Sequence, residues 1–269
     1  MSSKNIVAMN TDIFIPARLN SARLPSKHLK KINGQPVIKH LVTRLQSAKK
    51  IRNIIVCTTE SSSDNPLVEF LEKEKISYFR GNDEDILARF LAAAKHFETD
   101  IIVDVEGDDI YTDPFYVDAI VGEMENSDLD FVSGNMSTQN FGFQQGFPHG
   151  LIPAGIKRSA LEKICILKQT NKTETGYKEF FTRTELFKCK YLFPDPNLTF
   201  DKNLRLTLDY QEDFNLATEI FKELGSNFHF PDILKLFKKK PNLLKITEPI
   251  IERWQQNYEK SVCDFSLKQ

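Results

Sequence analysis

The chain has 269 residues, 41% of them hydrophobic, which is enough for one large α/β domain with an appendage. Its 36 basic and 37 acidic residues nearly cancel, so no global field suits nucleic acid or an anionic membrane and any basic site must be local. The four cysteines form no C-x-x-C pair, which argues against a disulfide framework or a cysteine zinc site; with no signal peptide and no run of about 18 apolar residues, a cytoplasmic protein is expected.

The first strand is predicted at 12–15, a short β-branched and aromatic run. Pro16 and Pro25 forbid a continuous helix behind it, so F-I-P-A-R-L-N-S-A-R-L-P-S-K, from Phe14 to Lys27, reads as a loop at the carboxyl edge of a strand. Open α/β sheets bind ligands at that edge, and Arg18, Arg23 and Lys27 there suit a triphosphate. A solvated basic loop is the alternative reading. Neither G-x-x-x-x-G-K-S/T nor G-x-G-x-x-G occurs near the strand, which excludes the two glycine-rich phosphate motifs.

Asn33-Gly34-Gln35-Pro36 is read as a turn, and Val37, Ile38, Leu41, Val42, Leu45 and Ala48 recur at helical spacing behind it. A strand at 54–59 holds Cys57 as a buried thiol; a polar loop at 61–65 comes next, and Pro66 opens a helix. A short strand at 77–80 precedes a helix capped by Asn82 or Asp83. The most strand-like run, 101–105, delivers Glu106-Gly107-Asp108-Asp109 to the same edge as the first loop, and Asp113 is expected to cap the helix begun by Pro114. With a further strand at 131–133, the alternation predicts a doubly wound, mostly parallel sheet.

From 135 to 150 the pattern lapses, and the stretch reads either as a loop facing an active site or as a flap. Then come a strand at 151–157, a helix capped by Ser159, a strand at 204–208 ending in Asp209, and a helix at 212–224. Helices at 231–239 and 248–258 form the tail. Asp209 is also readable as a helix N-cap, and Arg89 as the intrahelical partner of Asp85. His28, His40 and His96 show no metal-ligand spacing and are read as structural or surface residues.

Four segments resemble the bacterial sugar cytidylyltransferases of the spore-coat-polysaccharide type, relatives of the Kdo and acylneuraminate cytidylyltransferases. They are I-P-A-R-L-N-S-A-R-L-P-S-K-H-L-K-K-I-N-G-Q-P-V-I-K-H at 15–40, F-R-G-N-D-E-D-I-L-A-R-F at 79–90, E-G-D-D-I-Y-T-D-P at 106–114 and L-R-L-T-L-D-Y-Q-E-D-F at 204–214. The resemblance implies a GT-A-type nucleotidyltransferase fold with a helical C-terminal tail. It also implies transfer of CMP from CTP to an acidic or phosphorylated sugar, in a homodimer whose contact surface falls around 151–187. Under it, Arg18, Ser21, Arg23 and Lys27 hold the triphosphate, Ala17 and Arg18 with Arg80 read the cytosine, and Asp108 and Asp209 bind Mg2+. Arg18, Lys27 and Asp108 would carry catalysis, with Glu106 and Asp109 as supporting or solvated acids.

The same resemblance implies a nucleotidyltransferase domain over 1–230, with 137–200 as an acceptor-binding and dimer-contact insertion, and a helical extension over 231–269. Relatives often carry Pro-Asp-Gly-Leu-Asp where this chain reads Phe147-Pro148-His149-Gly150-Leu151-Ile152-Pro153, so both acids are lost. His149, Gly150, Lys157 and Arg158 are therefore the acceptor-binding candidates. A GT-A glycosyltransferase, which would want a D-x-D motif, and a non-catalytic nucleotide-binding protein are the alternatives.

Overall fold

The computed structural model describes residues 9–134, 146–201, 204–261 and 266–268; most of the predicted 135–150 loop, and Cys263, lie outside them. The chain begins with β1 (Thr11–Pro16) and a small hairpin, β2 (Lys31–Ile32) and β3 (Gln35–Pro36), turned at Asn33 and Gly34, whose φ values are both positive. Next come α1 (Val37–Leu45), β4 (Asn53–Thr59), α2 (Asn65–Lys73), β5 (Tyr78–Gly81), α3 (Ile86–His96) and β6 (Ile101–Asp104). The second half adds α4 (Pro114–Asn126), β7 (Phe131–Ser133), β8 (Ala154–Lys157), α5 (Arg158–Leu167), α6 (Glu179–Thr182) and β9 (Cys189–Tyr191). Three further helices close it: α7 (Gln211–Leu224), α8 (Phe230–Lys239) and α9 (Ile251–Ser261).

The main sheet has the order β5-β4-β1-β6-β8-β7-β9, and only β8 runs against the rest. This is the mostly parallel, doubly wound sheet that the alternation predicts. Side chains alternate across β1, so Ile13 and Ile15 face α1, α2 and α4 while Phe14 faces α3 and α5. Both faces are covered, which is why the central strands read as unbroken apolar runs. A third apolar cluster joins α7 and α8 to α4 and the segment 204–208, burying Phe230, Ile233 and Leu236 beside Ile120 and Leu206.

Several local expectations change. The run 204–208 is not a strand: it makes a single bridge, Arg205 to His149, and Leu206 N–H donates to His149 O at 2.8 Å. Its apolar residues are buried by the third cluster, not by strand neighbours. Asp85, not Asn82 or Asp83, caps α3, accepting from Ala88 N–H at 3.1 Å. Ser159 caps nothing, since α5 begins one residue earlier behind Lys157. Asp113 does accept from Phe115 N–H, as predicted, and also takes Phe230 N–H and His229 Nδ1–H, tying α8 to α4. No helix among the described residues is long and apolar enough to cross a membrane.

Candidate active site

Because β1, β4, β5 and β6 are parallel, the loops behind them gather at one edge. The loop after β1 is held from inside. Asp64, fully buried, accepts Leu19 N–H at 2.7 Å and the hydroxyls of Thr58 and Thr59, so the loop after β4 fixes the loop after β1. Ala17 N–H donates to Cys57 O, and Ser21 Oγ accepts Leu24 N–H at 3.4 Å. Lys27 then turns inward at the start of a 3-10 helix, Lys27–Leu29.

The acidic turn after β6 meets it there. A Cβ on Gly107 would lie 2.6 Å from Pro16 O and 2.8 Å from the His28 ring, so only glycine permits the approach of these two loops. Burial and the adjacent Lys27 lower His28 to about 3, and the neutral ring donates Nδ1–H to Gly107 O. With the loops in contact, Lys27 Nζ lies 2.5 Å from Asp108 Oδ2 and 3.3 Å from Asp209 Oδ1. Arg23 Nη2 reaches the same Asp209 oxygen at 2.6 Å.

Asp209 is freed for this by its neighbours. Asp213, not Asp209, takes the helix-start amides, accepting from Asp209 N–H and Tyr210 N–H at 2.9 Å each. Arg205 spans both acids, donating to Asp209 Oδ2 at 2.9 Å and to Asp213 at 3.3 Å. Burial alone would raise Asp209, but Lys27, Arg205 and Arg23 together hold it far below the usual carboxylate range. Asp108 behaves oppositely: burial pushes it up to about 6, Lys27 opposes, and the charges of Asp209 and Glu106 add to the rise. Asp109 is buried beneath Gly150 and raised well above its ordinary value by that burial and by Glu106 and Asp108.

A second charged group adjoins the first. Lys178 Nζ lies 2.7 Å from Glu106 and 3.2 Å from Asp104, and Tyr177 O–H donates to Asp104 Oδ2 at 2.6 Å. His149 sits between the groups, lowered to about 4 by burial and then by Arg205, with Glu106, Asp209 and Lys178 also acting on it. Its ring packs on Trp254 of α9, centroids 4.8 Å apart.

Of the sequence candidates, the fold brings Arg23, Lys27, Asp108, Asp209, His149 and Gly150 to one place, with Ala17, Arg18 and Ser21 on the adjoining loop. Arg18 is half-exposed and pairs with Glu174 at 3.5 Å. Arg80 is directed elsewhere: its guanidinium donates to Thr59 O, Asn65 Oδ1 and Ser61 O, bracing the loop that carries Asp64. Lys157 and Arg158 are not brought together with the others. Strand β8 is antiparallel to β6, so Ala154 opposes Asp104 at the site while Lys157 opposes Ile101 at the far edge. There they pair with Asp128 and Asp100.

Asp64, Lys178, Tyr177, Arg205, Asp213 and Trp254 are functional neighbours that the sequence did not reveal. Only Asp213 carried a local signal, as an acid three residues into a helix behind an apolar run.

Two carboxylates converging on one ammonium mark a point where a cation sits between oxygen ligands, and Asp108 with Asp209 therefore fit Mg2+. Among the described residues no group of three or more His, Cys, Asp or Glu side chains could hold a metal, so the remaining ligands would be phosphate oxygens and water.

The sequence profile of the cytidylyltransferase family matches residues 13–146. An uncharacterized protein of Methanocaldococcus jannaschii is 30% identical over 248 residues, 91% of this chain and 98% of that one. The spore coat polysaccharide biosynthesis protein SpsF of Bacillus subtilis is 25% identical, covering 84% and 91%. The 3-deoxy-manno-octulosonate cytidylyltransferase 2 of Hydrogenovibrio crunogenus is 35% identical over 143 residues, but the match spans 49% of this chain and 54% of that protein. Among solved structures, a cytidylyltransferase from Leptospira borgpetersenii superposes with a TM-score of 0.76 at 29% identity, covering 88% of this chain and 97% of that one. Since the profile runs through β1, its loop and the acidic turn that meets Lys27, and the relatives extend the match through the tail, the chain belongs to the cytidylyltransferase family and is a nucleotidyltransferase.

Proposed function

We infer that the protein transfers CMP from CTP to a hydroxyl of a sugar, sugar acid or related acidic or phosphorylated acceptor, releasing pyrophosphate, in surface-glycan biosynthesis. The observation that carries this reading is the four-charge cluster of Arg23, Lys27, Asp108 and Asp209 at the carboxyl edge of the sheet. In the reaction the acceptor oxygen bonds to the α-phosphorus, the bond from that phosphorus to the β-phosphate bridging oxygen breaks with its electron pair leaving on the pyrophosphate, and the hydroxyl proton passes to solvent. Negative charge grows on the α-phosphoryl oxygens and on the leaving pyrophosphate.

Mg2+ held by Asp108 and Asp209 would supply Lewis-acid neutralisation of that charge. Lys27 and Arg23, now paired with those carboxylates, exchange them for phosphate oxygens when the nucleotide enters. Arg18, half-exposed on the same loop, would follow from Glu174. Removing one preorganised charge of this kind raises the barrier by about 2.7–4 kcal/mol. Cytosine recognition falls to backbone groups around Ala17 and Arg18, with Arg80 acting through the loop it braces.

On the acceptor side, His149 and Gly150 are joined by Lys178 and Glu106, while Lys157 and Arg158 drop out. The Hydrogenovibrio relative, named for a sugar acid, supports an acceptor of that class. The protein incubated with CTP, Mg2+ and a panel of sugars, sugar acids and sugar phosphates is expected to release pyrophosphate with at least one acceptor, with the CMP conjugate visible by mass spectrometry. Release from none of them, despite CTP binding, would leave a nucleotide-binding protein in place of an enzyme of this specificity. A homodimer belongs to the same proposal, and light scattering on the purified chain tests it.

A further inference from the structure

Helix α9 lies at the end of the chain, yet it reaches the centre of the site through one side chain. Trp254 is 7% exposed and belongs to a small apolar cluster with Tyr210 and Ile250, distinct from the three larger cores. Its ring lies 4.6 Å from the Arg205 guanidinium carbon and 4.8 Å from the His149 ring. Two more residues of α9 make polar contacts to the same region: Asn257 donates to the Tyr210 hydroxyl at 2.8 Å, and Arg253 pairs with Glu212 and stacks on Tyr210.

Arg205 needs such a cover. Its side chain is 3% exposed, with Nη2 on Asp209 and both Nη2 and Nε on Asp213, while Nη1 has no hydrogen-bond partner among the described residues. A guanidinium left with an unpaired N–H is driven towards any water that reaches it, and water there would weaken its bond to Asp209. The indole covers the guanidinium and offers its π face to the cation. Asp209 Oδ2 then stays on Arg205, which leaves Oδ1 directed at Lys27 and Arg23.

We propose that α9 is a wall of the active site and that Trp254 is a positioning residue, holding Arg205 on Asp209 so that the carboxylate faces the metal and the triphosphate. The proposal rests on the reading of Asp209 as a metal carboxylate. It does not follow from the role of α9 in folding, because the Trp254 cluster is separate from the apolar cores that carry the sheet and α7–α8.

Trp254 is the only tryptophan in the chain, so the full-length wild-type protein carries its own probe. Titrating Mg2+ with CTP should change tryptophan emission saturably, and Asp209→Asn should abolish that change. In Trp254→Ala the Mg2+ concentration for half-maximal CTP binding, read by calorimetry, should rise about tenfold, or about 1.4 kcal/mol. Trp254→Phe, which keeps an aromatic face, should restore most of it. If the wild type binds no Mg2+-CTP, the functional reading fails. If the wild type binds but its emission is silent at saturation, or Trp254→Ala keeps the wild-type Mg2+ dependence and loses only thermal stability, the proposal is overturned while that reading stands. Should Trp254→Ala not fold, the wild-type emission decides: a silent titration sinks the proposal, and a saturable change that Asp209→Asn abolishes supports it.

Discussion

Replacing Asp64 by alanine should cost both stability and nucleotide affinity although Asp64 touches no proposed ligand position. Its carboxylate is fully buried and accepts Leu19 N–H at 2.7 Å, Thr58 Oγ at 3.1 Å, Thr59 N–H at 3.4 Å and the Thr59 hydroxyl. The two hydroxyls can turn to other acceptors, but the Leu19 amide cannot, and an unsatisfied buried N–H costs about 1–3 kcal/mol. Adding part of the charged bonds from the threonines brings Asp64→Ala to a loss of about 3 kcal/mol, within the 5–15 kcal/mol typical of a folded domain. Asp64→Asn keeps one acceptor oxygen for Leu19 but turns an NH2 towards Thr59 N–H, so its loss should be about half as large. Urea unfolding measures both. Calorimetry should show CTP binding about tenfold weaker in Asp64→Ala, because Leu19 anchors the loop that carries Arg18 and Arg23. An alanine variant within about 0.5 kcal/mol of wild type, or an asparagine variant less stable than the alanine one, would contradict this.

Gly150→Ala should be severely destabilising, by more than about 2 kcal/mol in the same urea assay, because φ is +86° and the new Cβ would fall 2.0 Å from Leu206 O. His28 is a base whose folded pKa, about 3, lies below its unfolded value, so its contribution is whole above about pH 6.5 and is lost as pH falls towards 3. His28→Asn keeps a donor for Gly107 O but does not titrate, and between pH 7 and pH 5 it should lose about 2 kcal/mol less stability than wild type. Cys57 is fully buried with its thiol pushed up by burial, so a thiol reagent should label it only on global unfolding, at the rate amide exchange reports for the core.

The fold and half of the site were legible because their signals are local. The run of β1 with the prolines behind it, and the run of β6 with its E-G-D-D turn, each announce a strand and the loop at its end, and parallel topology puts both loops at one edge. Long-range pairing was not legible. Arg23 and Asp209 are 186 positions apart, and nothing between them says that Arg205 and Asp213 will prepare the carboxylate. Arg89 shows how tertiary partners displace local ones: its helical spacing to Asp85 suggests an ion pair, but Lys168 takes Asp85 and Arg89 turns to Glu174. Lys157 and Arg158 failed for a topological reason, since the direction of a single strand, β8, decides which edge they reach. The segment 204–208 read as a strand because burial on an apolar cluster produces the same alternation as pairing in a sheet.

Under the proposed function Arg23, Lys27, Asp108 and Asp209 are one metal-triphosphate site whose charges neutralise each other until a nucleotide arrives. Calorimetric titration of CTP with and without Mg2+, on wild type and Asp209→Asn, decides whether they act as one. Mg2+ should tighten CTP binding to the wild type at least about tenfold, and Asp209→Asn should lose most of this gain. Equal tightening in both proteins, or CTP binding indifferent to Mg2+ in the wild type, would contradict it.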